Sequence, residues 1–151
     1  MPITDAMRAR HVVRQYLSTP LPDDVIAALR SRIEENNRAH GTDIRLVTGD
    51  ARVFGPLWGT VRARSVRNCL IMSGPDAPDL DERLGYGGAD LMLAAQDLGL
   101  NTWWIGGTFS KRAAARVSGA TGRIVAVVAL GYGATQGSAH ASKRPEEVSS
   151  Y

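Results

Sequence analysis

Leu98-Gly99-Leu100-Asn101-Thr102-Trp103-Trp104-Ile105-Gly106-Gly107 decides the fold of this chain, because a helix end, a strand and a turn follow one another within it. Gly99 sits where a helix ends in a left-handed residue, Thr102 to Ile105 is rich in side chains that suit a strand, and two glycines then turn the chain. Upstream, Leu80, Leu84, Leu91, Ala95 and Leu98 predict a long helix from Leu80 to Leu98 with one broad buried face. Gly85, Gly87 and Gly88 fall inside it. Each costs up to ~1 kcal/mol against alanine, so their clustering points to a close backbone approach or a broken first turn. Downstream, Ser110 is placed to cap a short helix through Arg116, and Ile124 to Leu130 is an apolar run of the kind buried on both faces.

The remaining chain adds helices and strands in mixed order. A first helix is predicted from Thr4 to Arg10 with Thr4 as its cap, and an extended stretch from His11 to Tyr16 ends at the turn around Pro20 and Pro22. Asp23 or Asp24 then caps a helix whose apolar positions Val25, Ile26, Leu29 and Ile33 follow the 3.6-residue period, ending before Gly41. Ile44 to Val47 alternates like a half-buried strand, Val53 to Val61 reads either way, and Val66 to Met72 is a strand broken by Ser73-Gly74-Pro75-Asp76. This order describes an α+β domain with a central mixed sheet flanked by helices. The glycine-rich first turn of a dinucleotide-binding Rossmann unit and the P-loop pattern are both missing.

Composition narrows the function. The 151 residues are 44% apolar and 22% charged, ordinary globular usage, so one domain over 1-151 is expected, with residues 134-151 an extended polar tail. A net charge of +3 does not announce a nucleic-acid partner. Cys69 is the only cysteine, so an internal disulfide and a cysteine zinc cluster are ruled out, and its apolar surroundings read as those of a buried structural thiol. With no secretory opening and no apolar run near the ~20 residues of a spanning helix, a cytoplasmic protein without a membrane partner is expected.

Four features are candidates for chemistry. Arg10 and Arg14 alternate with Val12 on an extended segment, so they either form a solvated basic face or converge as charge-assisted donors for a phosphomonoester. Gly106-Gly107 is either an ordinary turn or a place where backbone N–H groups approach a planar ligand unobstructed. Lys143-Arg144 lies in the polar tail. Trp103 and Trp104, adjacent on a strand, face opposite sides of the sheet, one in the core and the other in the core, a pocket or an interface. His11, His40 and His140 have no metal-ligand spacing, and no catalytic acid, base or nucleophile set stands out. An enzyme built this way leaves its chemistry to a cofactor.

Taken in order, these segments resemble the nitroreductase superfamily of FMN enzymes, especially its shorter branch. Arg10-His11-Val12-Val13-Arg14-Gln15-Tyr16 is similar to the family's Arg-Arg-Ser-x-Arg segment with its following aromatic. Leu84 to Ala95 resembles its long central helix, Leu98 to Gly107 its Gly-Leu-Gly-Thr-x-Trp strand and flavin-contacting turn, and Val127 to Tyr132 its final strand. The resemblance implies a homodimer with FMN at the interface between subunits, no catalytic side chain, and electrons passing from NADH or NADPH through flavin N5. The acceptor would be a small molecule: a nitroaromatic, a quinone or another flavin. It also implies the cofactor contacts: Arg10 and Arg14 on the phosphate with Lys143 or Arg144, Gly106 and Gly107 facing N5, and His11 and Val12 alongside. Val12 stands where a serine is usual, and the polar ring contact of larger members falls to Asn36 or Asn37. A flavin-handling protein of this fold with little reductase activity is the alternative.

Overall fold

The computed structural model describes residues 2–50, 52–54, 65–139 and 143–149. Four strands form one sheet: β1 (Arg45–Val47), β2 (Asn68–Gly74), β3 (Asn101–Ile105) and β4 (Arg123–Gly131), in the order β1-β2-β4-β3. Every pairing between these strands is antiparallel, and the parallel component is a bridge from Val12 to Thr102. The apolar run of β4 puts that strand in the middle of the sheet, as a strand covered on both faces requires.

The pleat divides the core into two layers. Cys69, Ile71, Val127, Ala129 and Ile105 point to one side, where helix α4 (Lys111–Ser118) and the 3-10 turn Arg52–Phe54 cover them. Leu70, Met72, Val128 and Leu130 point to the other, against Leu29 and Ile33 of α2 (Asp23–His40) and Leu84, Leu91 and Ala95 of α3 (Leu80–Asp97). Trp103 packs on the first layer and Trp104 on the second, as adjacent strand residues must. Helix α1 (Ile3–Ala9) lies against α3, and α5 (Pro145–Val148) is a single turn in the polar tail.

Several local expectations need correcting. Thr4 does not cap α1, nor does Asp23 or Asp24 cap α2; Pro2 and Pro22 occupy the cap positions without side-chain bonds. Asp23 and Asp24 instead lie in the first turn, where carboxylates face the positive end of the helix dipole. Strand β2 does not stop at Met72. Its pairing with β4 continues through a register shift to Ser73 opposite Ile124 and Gly74 opposite Arg123, while the buried Ser73 hydroxyl donates to Asp43 O and the Ser73 carbonyl accepts from Asp43 N–H at 2.7 Å. Helix α4 runs two residues past Arg116, with Ser110 Oγ accepting from Ala113 N–H as expected. Of the ambiguous stretch, only Val53 and Phe54 lie within the described residues.

Gly87 and Gly88 of α3 resolve as close approach, with Gly85 facing open space, and the helix is not broken. A Cβ on Gly88 would sit 2.3 Å from Trp104 Cζ3 and 2.9 Å from Met72 Cε, so the helix beds onto β3 only because nothing is there. Gly99 ends the helix region at φ 76°, the left-handed geometry its position predicted.

Candidate functional site

The basic segment is laid along the free edge of the sheet. Val12 bridges in parallel to Thr102, and Val13 N–H reaches Thr102 O at 3.4 Å, so residues 12 to 14 run in the direction of β3, towards Gly106. The chain after β4 closes over the other side. Leu17 N–H donates to Tyr132 O at 2.8 Å, Ala134 N–H donates to Gln15 O at 2.9 Å, and Tyr16 bridges to Gly133. Asn101, almost fully buried, holds this strap by accepting from Gly133 N–H at 3.0 Å and donating to Gln136 Oε1 at 3.2 Å. Tyr16 seats its ring in the core and donates its hydroxyl to Ala129 O at 3.3 Å, and burial pushes its phenol well above the ordinary range. Gly137 presses against His11 so closely that a Cβ there would lie 2.7 Å from His11 Cβ.

What this frame presents is positive charge at Arg10 and Arg14. Arg8, Arg32, Arg45, Arg52, Arg83, Arg123 and Arg144 all pair with carboxylates. Among the described residues Arg10 and Arg14 have no ion pair, which they share with Arg30, Arg67 and Arg112 among others, so their place on the sheet edge and not the missing partner sets them apart. Arg10 is half-buried and Arg14 exposed, its guanidinium carbon 5.2 Å from the centre of the Trp103 ring. Trp103 to Gly106 spans three residues, roughly 10 Å of strand. Gly106 and Gly107 are exposed, have no left-handed φ, and a Cβ on either would meet nothing within 4 Å. The turn is therefore an open backbone surface, and the donor set suits a ligand with an anionic end near the arginines and a flat end at the glycines.

The other predicted residues are placed differently. Val12 exposes an apolar side chain and offers no hydroxyl. Asn37 closes the corner between α2 and β1, accepting from Thr42 Oγ1 at 2.9 Å and Ile44 N–H at 2.8 Å and donating to Ile44 O at 2.9 Å. That corner adjoins β1, three strand spacings or roughly 14 Å across the sheet from β3. Asn36 is likewise engaged, donating to Asp90 Oδ2 at 2.7 Å. Lys143 and Arg144 are exposed, and Arg144 pairs loosely with Glu146 and Glu147 of its own turn. Sequence reasoning missed the strap from Tyr132 to Gly137, the anchoring by Asn101, and the stacking of Arg14 on Trp103. A signal for two of these was present: Asn101 replaces the second glycine of the Gly-Leu-Gly-Thr-x-Trp pattern, and Trp103 fills its open position.

Among the described residues, cavities lie elsewhere. One of about 270 Å³ between α2 and α3 is lined by Arg32, Glu35, Asn36, His40, Tyr86 and Asp90. Another, of about 230 Å³, adjoins the same Arg32–Asp90 pair on the α1 side, and a third, of about 340 Å³, lies by Leu21 and Asn68. Among the described residues no cluster of His, Cys, Asp and Glu could hold a metal ion, and no helix is long and apolar enough to cross a membrane.

The fold is a helix-flanked antiparallel sheet with Arg10 and Arg14 along its edge and an open glycine turn beyond them. The family model described as "Putative TM nitroreductase" matches residues 2–151, and the chain belongs to the nitroreductase family. No curated protein matches the sequence. Solved structures share its shape. One, described as a "putative nitroreductase in complex with fmn" from Desulfovibrio desulfuricans, superposes with a TM-score of 0.75 at 18% identity over 100% of this chain and 97% of that one. A "Putative NADH dehydrogenase/NAD(P)H nitroreductase" from Bacteroides thetaiotaomicron gives 0.70 at 16% identity over 99% and 97%. The NADPH:FMN oxidoreductase of Vibrio harveyi, complexed with NAD+, gives 0.72 at 16% identity over 99% of this chain and 76% of its own.

Proposed function

We propose that this protein is an FMN-dependent oxidoreductase working as a homodimer, with NADH or NADPH as electron donor and a small nitroaromatic, quinone or free flavin as acceptor. The observation that carries the reading is the pair Arg10 and Arg14, without carboxylate partners among the described residues, on a segment fixed at both sides and running towards an open glycine turn. Family membership over residues 2–151 and the relatives described with fmn and NAD+ support it.

The chain's own residues place and shield. A phosphomonoester at Arg10 and Arg14 meets planar guanidinium donors already held by the sheet edge and the strap. Backbone N–H groups of Gly106 and Gly107 are the preorganised donors for the reacting edge of the ring. By the family resemblance, Lys143 or Arg144 from the tail and His11, next to Arg10 in the chain, are assigned further contacts around the phosphate. FMN held there would supply the redox chemistry, hydride acceptance at N5 and onward electron transfer, that the side chains lack. The flat end of this site lies open in a single chain, so a second copy is assigned the task of covering it and excluding water. That openness also favours a second reading, a flavin-binding protein with little turnover.

The test is titration of purified protein with FMN, followed by NADH or NADPH. Wild type is expected to bind FMN and to bleach its absorption. Arg10→Ala and Arg14→Ala each lose at least about tenfold in FMN affinity through one charge-assisted hydrogen bond set, while exposed Arg30→Ala on α2 does not. FMN binding unchanged in both arginine variants overturns the phosphate assignment. Tight FMN that neither nucleotide bleaches selects the second reading.

A further inference from the structure

We propose that Trp103 is a positioning residue for the flavin phosphate, acting through Arg14 and touching no part of the cofactor itself. The inference rests on the reading of Arg14 as a phosphate donor. Trp103 stands opposite Ala129 in the β3–β4 register, with its indole packed on the core layer beneath α4. Over this ring lies the Arg14 guanidinium, 5.2 Å from its centroid. The backbone carrying Arg14 is tied to Thr102 on one side and to the Tyr132–Ala134 strap on the other. The indole therefore fixes the one part of Arg14 that the backbone leaves free.

The geometry of the two interactions makes them compatible. A guanidinium whose flat face lies on an indole keeps its in-plane N–H donors available to a phosphate. An arginine stacked beforehand also loses less side-chain freedom when its anion arrives, so the indole lowers the cost of binding without adding a contact. Burial of an aromatic for packing alone would not require a cation over its face.

The experiment compares FMN with riboflavin, which lacks the phosphate, by fluorescence titration. Trp103→Leu is expected to weaken FMN about three- to fivefold, the size of a surface cation–π contact, and to leave riboflavin unchanged. Trp103→Phe keeps most of the FMN affinity. In an Arg14→Ala background Trp103→Leu costs nothing further, because the group through which it acts is gone. Equal weakening of both flavins, or full additivity with Arg14→Ala, overturns the proposal and leaves the phosphate site standing. Wild type that binds no FMN overturns both. Should Trp103→Leu fail to fold, tryptophan emission in wild type and Arg14→Ala during titration with inorganic phosphate carries the test. A change in wild type that disappears in Arg14→Ala supports the coupling, and an identical response in both removes it.

Discussion

Gly107 separates two roles that a glycine in a turn usually confounds. Its backbone is not left-handed and a Cβ there meets open space, so Gly107→Val asks nothing of the protein's own fold. Stability is expected to stay within about 0.5 kcal/mol of wild type, as for exposed substitutions away from special geometry. A ring lying on the turn would meet the new side chain, so FMN binding weakens or its bleaching by NAD(P)H slows. Rapid mixing normalised to bound FMN measures this, and a folded variant with unchanged affinity and rate removes Gly107 from the site. Cys69 marks the opposite extreme. Burial, with a smaller contribution from Asp50, pushes its thiol up to about 12, and it remains an inert part of the core.

At the scale of elements, α2 and α3 are clamped by charge as well as by packing. Arg32 meets both Asp90 oxygens, at 2.8 and 2.6 Å, and Asn36 donates to the same carboxylate. Burial alone would raise Asp90, but the bonds from Arg32 and Asn36 outweigh it and hold the carboxyl below its usual range. A group depressed in the folded state stabilises above its unfolded pKa, about 4, and loses that contribution as pH falls through the folded value. Because Arg32 is half-exposed, Asp90→Asn should cost no more than ~1 kcal/mol at neutral pH. Urea unfolding of both proteins is then expected to show the gap closing on acidification below about pH 4. A gap independent of pH would mean that packing alone joins the helices. The elements themselves were largely legible because their periods are local: 3.6 in α2 and α3, and unbroken apolar character in β4. Ends decided by tertiary contacts were not. Ser73 and Gly74 continue β2 by pairing with Ile124 and Arg123 of β4, far along the chain, and the caps at Pro2 and Pro22 carry no side-chain signal. In the candidate site, the arginines and glycines were readable as residue types. Their support by Asn101, Trp103 and the strap was not, because each depends on chain distant in sequence.

For the whole molecule, two of the three glycines of α3 are taken up within the chain and one is left open. Gly87 packs on Asn36 and Ile44 and Gly88 on Trp104, leaving Gly85 on the outer face. Apolar side chains are nonetheless uncovered: Ile3 is 64%, Met7 61% and Tyr86 71% exposed. Together with a cofactor surface open on one side, this leads to the expectation of a dimer in sedimentation velocity, and a monomer holding stoichiometric FMN would contradict it. The strap carries another consequence, one of timing. Tyr16 finds its acceptor at Ala129, 113 positions along the chain, and its neighbours are fastened by residues later still. During synthesis the arginines precede β3, β4 and the strap, so the frame on both sides of them is complete only once the residues after β4 have emerged. A ribosome-bound or prematurely ended chain would therefore carry the charges without the frame that aims them, and flavin uptake would act as a seal of completion on the finished molecule.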